Sequence, residues 1–589
     1  MPTRTRALII GFLTLATLAA YIGALRYGFV YDDPDQIVNN PAVHSWSRVP
    51  RYFTSDVWPH STPDEVGNFY RPVFLLWLLL NYKIGSLNPT WYHLTTVALH
   101  LLATLLVYLL ALRVTKDELV AAGGALLFGL HPVHLEAVAW ISGGTEPLLA
   151  IFFIATFLAF LRSRDEMENQ RRLRGPWLLA SLGLYVLALL AKETAVVLPI
   201  IIFAYEWLFP QKRCEDSAIG LHERFWAALA SCSLYLLLTA IYLIVRYLAL
   251  NGLGHSLMPL QSSTIILTWP SIILFYVRLL VWPIGLSAFY DTPYVTSFSL
   301  RYVALPALIV AVIAIVLFLW SRRSSLIAFF SLWMLLPVLP LANLSVFKEG
   351  EIAHDRYLYL ASIGFCVIVA LAIKQISLES VKIFGQPAHQ VLLFLVIAAF
   401  FGCATTYQSG FWASDETLSA RGVAIAPNNF RAANNLGRGL AQKGNYDAAI
   451  SIFRRVLEQR PDYSLTNFNL GYVYYRLERL SDAEHYLKKA IEINPKDPAA
   501  HRFLGYTLLE MGRLDQAVSA LRQAITLAPN TPNVHYAIGT ALEQKKDLKG
   551  ALDEYRLELA LNPNHRDASQ AINQIQAATN SSVSERENH

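Results

Sequence analysis

Charge is what this sequence has least of. Asp, Glu, Lys and Arg make up 15% of its 589 residues, while hydrophobic residues make up 54%. An ordinary soluble protein carries about 25% charge, so a large part of this chain is expected in lipid. Cysteine is sparse too: Cys214, Cys232, Cys366 and Cys403 are scattered, with no CxxC pair and no metal-ligand spacing. That pattern argues against a disulfide framework or a zinc module. The basic residues sit in short loops between apolar segments and form no continuous stripe, so no nucleic-acid partner is expected.

What is present is a series of apolar runs between residues 7 and 407, with none from Trp412 onward. Residues 7–25 carry no charge and suffice to cross a hydrocarbon core of ~30 Å. Arg4 and Arg6 precede them and no small-x-small cleavage pattern follows before Tyr31, so this run is expected to stay as a signal anchor. Further spans are expected at about 92–112, 119–135, 146–161, 177–191, 195–209, 225–248, 302–320, 325–342, 357–373 and 389–407. The stretch 264–283 contains Trp269-Pro270, Arg278 and Trp282-Pro283, which suits a broken or re-entrant segment.

The arginines and lysines set the orientation. If the N-terminus is cytoplasmic and 264–283 does not cross, the cytoplasmic loops hold Arg113/Lys116, Arg162/Arg164/Arg171/Arg172/Arg174, Lys212/Arg213/Arg224, Arg322/Arg323 and Lys374/Lys382. That distribution follows the positive-inside rule. About eleven spans result, and an odd number places the C-terminal part on the far side. The far face then receives Asp32 and Asp33, Arg71, His131 with His134 and Glu136, Glu146, Lys192-Glu193, Tyr290-Asp291 and His354-Asp355-Arg356. Ionisable groups held at span ends are costly and often mark function. One shared cavity is the economical reading, and the first outer loop, aromatic between Trp46 and Tyr70, is expected to cover it along the membrane surface.

After Trp412 the sequence repeats. Pro427, Pro461, Pro495, Pro529 and Pro563 recur every 34 residues, as do Gly437, Gly471, Gly505 and Gly539, and Ala449, Ala483, Ala517 and Ala551. This is the tetratricopeptide period. Four repeats are expected over 430–565, with a degenerate unit ahead of them at Trp412–Pro427 and a capping helix at 566–577. The division expected is a membrane domain over 1–410, a solenoid over 411–577 and a disordered polar tail over 578–589. The fold class is therefore all-α: a polytopic membrane helix bundle followed by an α-solenoid of the kind that binds peptides or proteins.

Several short motifs occur in order along the chain: Tyr31-Asp32-Asp33, Tyr70-Arg71-Pro72, Trp91-Tyr92-His93 with His100, His131-Pro132-Val133-His134 with Glu136-Ala137-Val138, Lys192-Glu193, and Arg356-Tyr357-Leu358-Tyr359. With the repeats behind them, the combination resembles the transmembrane-and-tetratricopeptide-repeat proteins, relatives of the protein O-mannosyltransferases within the C-type glycosyltransferase fold. His354-Asp355 stands where family members often carry an acidic residue before the Arg-Tyr pair, and the four clear repeats are fewer than many relatives have. The resemblance implies a sugar donor, mannose in the best-known cases, carried on a polyprenyl phosphate, and a protein acceptor.

Transfer to a hydroxyl needs a base and a stabiliser for the departing phosphate. Asp33, or its neighbour Asp32, is the candidate base, because two close carboxylates raise one another's pKa. Arg356 is the first candidate for the donor phosphate and Lys192 the second, since a cation there stabilises charge as the bond breaks. The structural alternatives are a turn beside Pro34, snorkelling, and a simple Lys192–Glu193 ion pair. Arg71, His131, His134, Glu136, Glu193, His354 and Asp355 are expected in support. Pro132 breaks any regular helix between His131 and His134, so no metal site is assigned there. No cofactor is firmly implied, and divalent-metal dependence stays open. His93 and His100 are expected to pack between helices.

Membrane lipid, the lipid-linked donor and a protein acceptor or partner held by the repeats are the expected ligands. Two other readings stay open: a non-enzymatic membrane-anchored repeat scaffold, and a transferase of the same fold acting on lipid or glycan. A bacterial inner membrane with periplasmic repeats is the expected location, or the endoplasmic reticulum with lumenal repeats in a eukaryote.

Overall fold

The computed structural model describes residues 3–58, 67–168, 175–210, 220–254, 260–347, 352–378, 381–383 and 385–587. Of the basic residues expected in cytoplasmic loops, Arg171, Arg172, Arg174, Lys212 and Arg213 lie outside these, as do Cys214 and part of the aromatic loop before Tyr70. The chain divides into two compact units, one within residues 1–429 and one from Phe430 onward.

Apart from a two-residue hairpin, Lys382–Ile383 with Gln386–Pro387, the described residues of the first unit are helices and connections. Among the described residues, nine helices are long and apolar enough to cross a membrane: Arg4–Arg26, Pro89–Thr115, Ile141–Glu166, Leu221–Leu250, Ser262–Val281, Leu300–Ser321, Ser325–Ala342, Asp355–Gln375 and Ala388–Trp412. A tenth is the bent pair Glu118–Leu130 and Pro132–Val138, which turns by 51°. Pro132 has no N–H to continue the ladder, and that is where the bend falls. This is an integral membrane protein.

Local chemistry fixes the ends of these helices. Asn88 caps the helix Pro89–Thr115 by accepting from Thr90 N at 3.1 Å, and Asp117 caps the next by accepting from Leu119 N and Val120 N at 2.9 and 3.0 Å. The helix Glu118–Leu130 lies at the centre of the bundle and is buried over most of its length. Glycine makes that possible: a Cβ on Gly123 would stand 2.3 Å from the ring of Phe394.

Two expected spans are short. Pro176–Ala191 has 16 residues, and 195–209 becomes a 3-10 turn, Glu193–Val197, followed by the 11-residue helix Leu198–Leu208. The apolar helix Pro72–Gly85, begun by Pro72 at its first position, was not expected at all. The broken segment expected at 264–283 is instead one continuous helix, Ser262–Val281, with Pro270 inside it. A proline costs one backbone hydrogen bond, which a packed apolar helix tolerates.

Ion pairs and hydrogen bonds gather at two opposite ends of the bundle. One end joins Arg6 to Glu118 at 3.4 Å, Lys374 to Asp117 at 3.2 Å and Arg164 to Glu206 at 3.3 Å. The other joins Tyr27 to Ser409, Arg246 to Asn68 O, and the candidate site residues to one another. The helix Ser262–Val281 is tied to this second set near its middle and at its C-terminal end. Trp269 Nε1 donates to Ala342 O at 3.1 Å, His131 Nε2 to Leu280 O at 3.0 Å, and Gln408 Nε2 to Pro283 O at 3.0 Å.

The helix Asp415–Ile425 belongs to the first unit, so the boundary falls at 429/430 and not at 410. Its bonds lie within that unit: Ser414 caps it, Asp415 bonds Tyr31 N and Arg421 bonds Leu286 O. The second unit holds four helix pairs, with first helices Phe430–Gln442, Ser464–Arg476, Pro498–Glu510 and Val534–Gln544. Their partners are Tyr446–Gln459, Leu480–Ile493, Leu514–Leu527 and Leu548–Leu561. Each repeat glycine meets a large residue of the paired helix, and a Cβ on Gly471 would lie 2.7 Å from Leu487 Cγ. The capping helix runs from Arg566 to Glu587, so the stretch expected as a disordered tail has helical backbone almost to its end. No glycine or proline interrupts it there.

Candidate active site

The acidic turn follows the first span directly. Asp33 is fully buried. Its Oδ1 accepts from Ser142 N at 2.9 Å and Ser142 Oγ at 2.6 Å, and its Oδ2 from Val30 N at 3.2 Å. Burial pushes its carboxyl up to about 7, against the hydrogen bonds of Ser142 and Val30. Asp33 thus clamps the turn to the loop that opens the span Ile141–Glu166. Asp32 is the half-buried member of the pair.

That same loop reaches the basic side. The Arg356 guanidinium lies 5.1 Å from the Trp140 ring, and the Tyr31 ring meets Trp140 edge-on at 5.4 Å. Trp140 therefore touches both the residue before the acidic pair and the leading phosphate candidate. Gly143 lets the loop close up, since a Cβ there would stand 2.2 Å from Glu136 O.

Arg356 is held by Glu136, which pairs with its Nη1, accepts from its backbone N at 3.1 Å and also meets His354 Nδ1 at 3.0 Å. Its Nε and Nη2 make no hydrogen bond among the described residues, and its side chain is 18% exposed. The Tyr357 ring lies 5.1 Å from the Arg356 guanidinium and 5.4 Å from Lys192 Nζ, so one ring separates the two candidate phosphate ligands. Asp355 is buried and accepts from Tyr290 Oη at 2.5 Å.

Lys192 and Glu193 do not pair with each other. The backbone at Lys192 is extended, so consecutive side chains diverge. Lys192 pairs with Glu146, while Arg71 holds Glu193 through two bonds, Nη2 to Oε1 at 2.8 Å and Nε to Oε2 at 3.2 Å. Burial lowers the Lys192 ammonium, with Arg71 adding to the effect and Glu146 opposing it. Burial would raise the Glu193 carboxyl, but Arg71 outweighs it and holds the group at about 2. Three cations thus line one region, each with its own glutamate.

The two histidines of the bend are elsewhere. His131 donates to Leu280 O and accepts from Val133 N at 3.2 Å, while His134 meets Ser362 Oγ at 2.8 Å, both fully buried. Their bonds join helices and reach neither Asp33 nor Arg356. His100 bonds Tyr359 Oη and Gly129 O, and His93 meets Gly28 O. Among the described residues, no group of three His, Cys, Asp or Glu side chains is arranged to hold a metal.

The sequence pattern did not single out Trp140, Ser142 or Asp415, and Tyr357 stood only within the Arg356-Tyr357 motif. Trp140 and Ser142 stand two apart at the head of a span, four and six residues after Glu136, and that placement was the signal available. Asp415 carried none.

Tetratricopeptide-repeat models match residues 440–506 and 503–566. Over more of its length the chain is similar to proteins named protein O-mannosyl-transferase. Mouse TMTC3 is 28% identical over 81% of this chain and 54% of its own length, and human TMTC3 27% over 83% and 55%. Human TMTC1 is 27% identical over 80% and 58%. The chain spans a little over half the length of these relatives. A crystal structure of MamA aligns with a TM-score of 0.24 at 24% identity, over 25% of this chain and 85% of that one. By sequence and architecture the chain is TMTC-like, a membrane helix bundle followed by tetratricopeptide repeats.

Proposed function

We propose that the chain is a membrane glycosyltransferase that moves a mannose-like sugar from a polyprenyl-phosphate donor to a hydroxyl of a protein acceptor. The observation that carries this reading is the Trp140 loop, which brings the acidic turn and Arg356 to one wall. The names of the similar proteins support the same reaction class.

Asp32 takes the base role in this reading, with Asp33 as its anchor. A fully buried carboxylate with both oxygens hydrogen-bonded is out of an acceptor's reach, whereas its half-buried neighbour is not. The Asp32 carboxylate removes the acceptor proton, and the hydroxyl oxygen bonds the anomeric carbon. The bond from that carbon to the phosphate oxygen breaks, and its electron pair leaves with the polyprenyl phosphate. Arg356, with Nε and Nη2 available, neutralises the charge that develops, and Lys192 supports it from across Tyr357. The polyprenyl tail stays in lipid.

The site faces away from the cytoplasm in this reading, in a bacterial inner membrane with periplasmic repeats. The two polar ends of the bundle support it. Arg6, Glu118, Arg164 and Lys374 share the end opposite the site, as the positive-inside rule requires of a cytoplasmic face. The helix Ser262–Val281 is tied to the site's side near its middle and at its C-terminal end, which favours eleven crossings without it. The repeats recruit the acceptor or a partner.

The test is transfer of radiolabelled mannose from a polyprenyl-phosphate donor to periplasmic protein by the purified full chain. Labelled protein supports the reading. Label that appears only in lipid or glycan moves the chain to another reaction of the same fold, and no transfer from any polyprenyl-phosphate sugar leaves the scaffold reading.

A further inference from the structure

In the first two repeats the first helices carry charge of one sign only. Consecutive first helices touch directly along the array, while consecutive second helices stand farther apart. In a curved solenoid the closer-spaced set forms the concave side, so the first helices make the inner wall. The first two of them, Phe430–Gln442 and Ser464–Arg476, contain Arg431, Arg438 and Arg476 and no Asp or Glu. Their paired second helices carry both signs, Asp447, Glu458, Asp482, Glu484 and Glu492 beside Arg454, Arg455, Lys488 and Lys489.

Aromatic rings lie beside the arginines. Phe468 and Tyr472 meet the Phe503 ring at centroid distances of 5.9 and 5.0 Å, and Tyr475 and Tyr506 meet it at 5.8 and 5.6 Å. All five are half-buried, so a continuous aromatic seam crosses the second and third repeats. Arg438 is exposed and makes no ion pair or hydrogen bond among the described residues. Arg476 is exposed and donates to Tyr472 Oη at 3.0 Å. Arg502 lies 5.1 Å from the Phe503 ring with its Nε buried and without a partner. The acids of the wall, Glu510 and Glu543, sit in the third and fourth repeats and already accept from Tyr475 and Tyr555 at 2.7 Å each.

We propose that this wall binds an acidic, extended polypeptide segment, with carboxylates on Arg438 and Arg476 and apolar side chains along the ring seam. The inference rests on the reading that the repeats recruit a polypeptide, and it narrows that polypeptide to a chemical class. Charge complementarity selects the occupant, and unspent arginines give it directional, charge-assisted contacts. Glu510 and Glu543 at the far end repel a uniformly charged polyanion, which disfavours a nucleic-acid strand.

Fluorescence anisotropy with the full chain in detergent tests this. Three ~16-residue probes share a Ser/Leu background and differ only in carrying Glu, Gln or Lys. The Glu probe is expected to bind at least about tenfold tighter than the Gln probe, and to weaken as salt rises from about 50 to about 300 mM. Arg438→Glu combined with Arg476→Glu should lower its affinity by about tenfold or more, and Tyr472→Ala should lower it with an unchanged salt dependence. Arg455→Glu, exposed on the second helix Tyr446–Gln459, should leave it unchanged. Equal binding of the Glu and Gln probes would overturn the acidic class while recruitment stands, and absence of all peptide binding would remove both. Tighter binding of an oligonucleotide or of anionic vesicles, abolished by the same arginine changes, would also overturn the proposal.

Discussion

The backbone N–H of Tyr31 donates to Asp415 Oδ1 at 2.7 Å, which ties the acidic turn to the helix that follows the last span. Tyr31 sits at φ 61, a left-handed conformation that costs a non-glycine residue about 1–2 kcal/mol. Asp415 at one end and Ser142 at the other hold Asp32 between them. Asp415→Ala is therefore expected to lower turnover by roughly 5–30-fold, the range that such a strain energy sets. Asp415→Asn keeps an acceptor oxygen and should lose far less. Equal loss in the two variants, or none in either, would separate Asp415 from the turn.

Asp33 should show itself in stability rather than in chemistry. Its folded pKa is raised to about 7 from an ordinary value of 3.8, so between those pH values the folded chain holds a proton that the unfolded chain has lost. Stability contributed by that proton is present at low pH and lost as pH rises through about 7. Asp33→Asn should flatten this decline, read as the unfolding midpoint of the detergent-solubilised chain from about pH 5 to pH 8. An unchanged slope would mean that Asp33 is not the buried titrating group.

The Arg71–Glu193 pair has the opposite sign. Glu193 is held at about 2, so its contribution is complete above the ordinary glutamate range and disappears as pH falls toward 2. Glu193→Gln leaves Arg71 unpaired and is expected to cost about 2 kcal/mol, below the ~3–5 of a sealed pair, because Glu193 is 29% exposed. Denaturation of purified variants measures this.

Arg356 and Lys192 should separate by chemistry. Arg356→Lys keeps the charge but loses the planar fork that faces Trp140 and Tyr357. Donor affinity and turnover should both fall, by roughly tenfold or more, and Lys192→Arg should fall less. Donor affinity that survives Arg356→Ala would move the phosphate elsewhere.

A reporter fused after residue 410 checks the orientation. Alkaline phosphatase is expected active there and a cytoplasmic fluorescent reporter dark. The reverse pattern would mean that Ser262–Val281 crosses.

Helix identity, the repeat register and most of the site's membership were legible in the sequence because they follow from periodicity and from polar residues at span ends. The partner choices were not. Lys192 and Glu193 are neighbours in sequence, yet the extended backbone sends one to Glu146 and the other to Arg71. Asp32 and Asp33 look equivalent as letters, and only the fold buries one beside Ser142. His131 and His134 lie in a site-like motif but face the helix packing, because the bend at Pro132 turns their rings inward. The role of Asp415 depends on a contact across 384 positions, which no local pattern encodes.

The central claim is that sugar transfer occurs beside Trp140 with Asp32 as base, and transfer by Asp32→Asn beside Asp33→Asn tests it most directly. With full chain and radiolabelled polyprenyl-phosphate mannose, Asp32→Asn should lower turnover by roughly 10²–10⁴-fold while donor binding persists. Asp33→Asn should retain most of it. Near-normal transfer by well-folded Asp32→Asn protein would contradict the account.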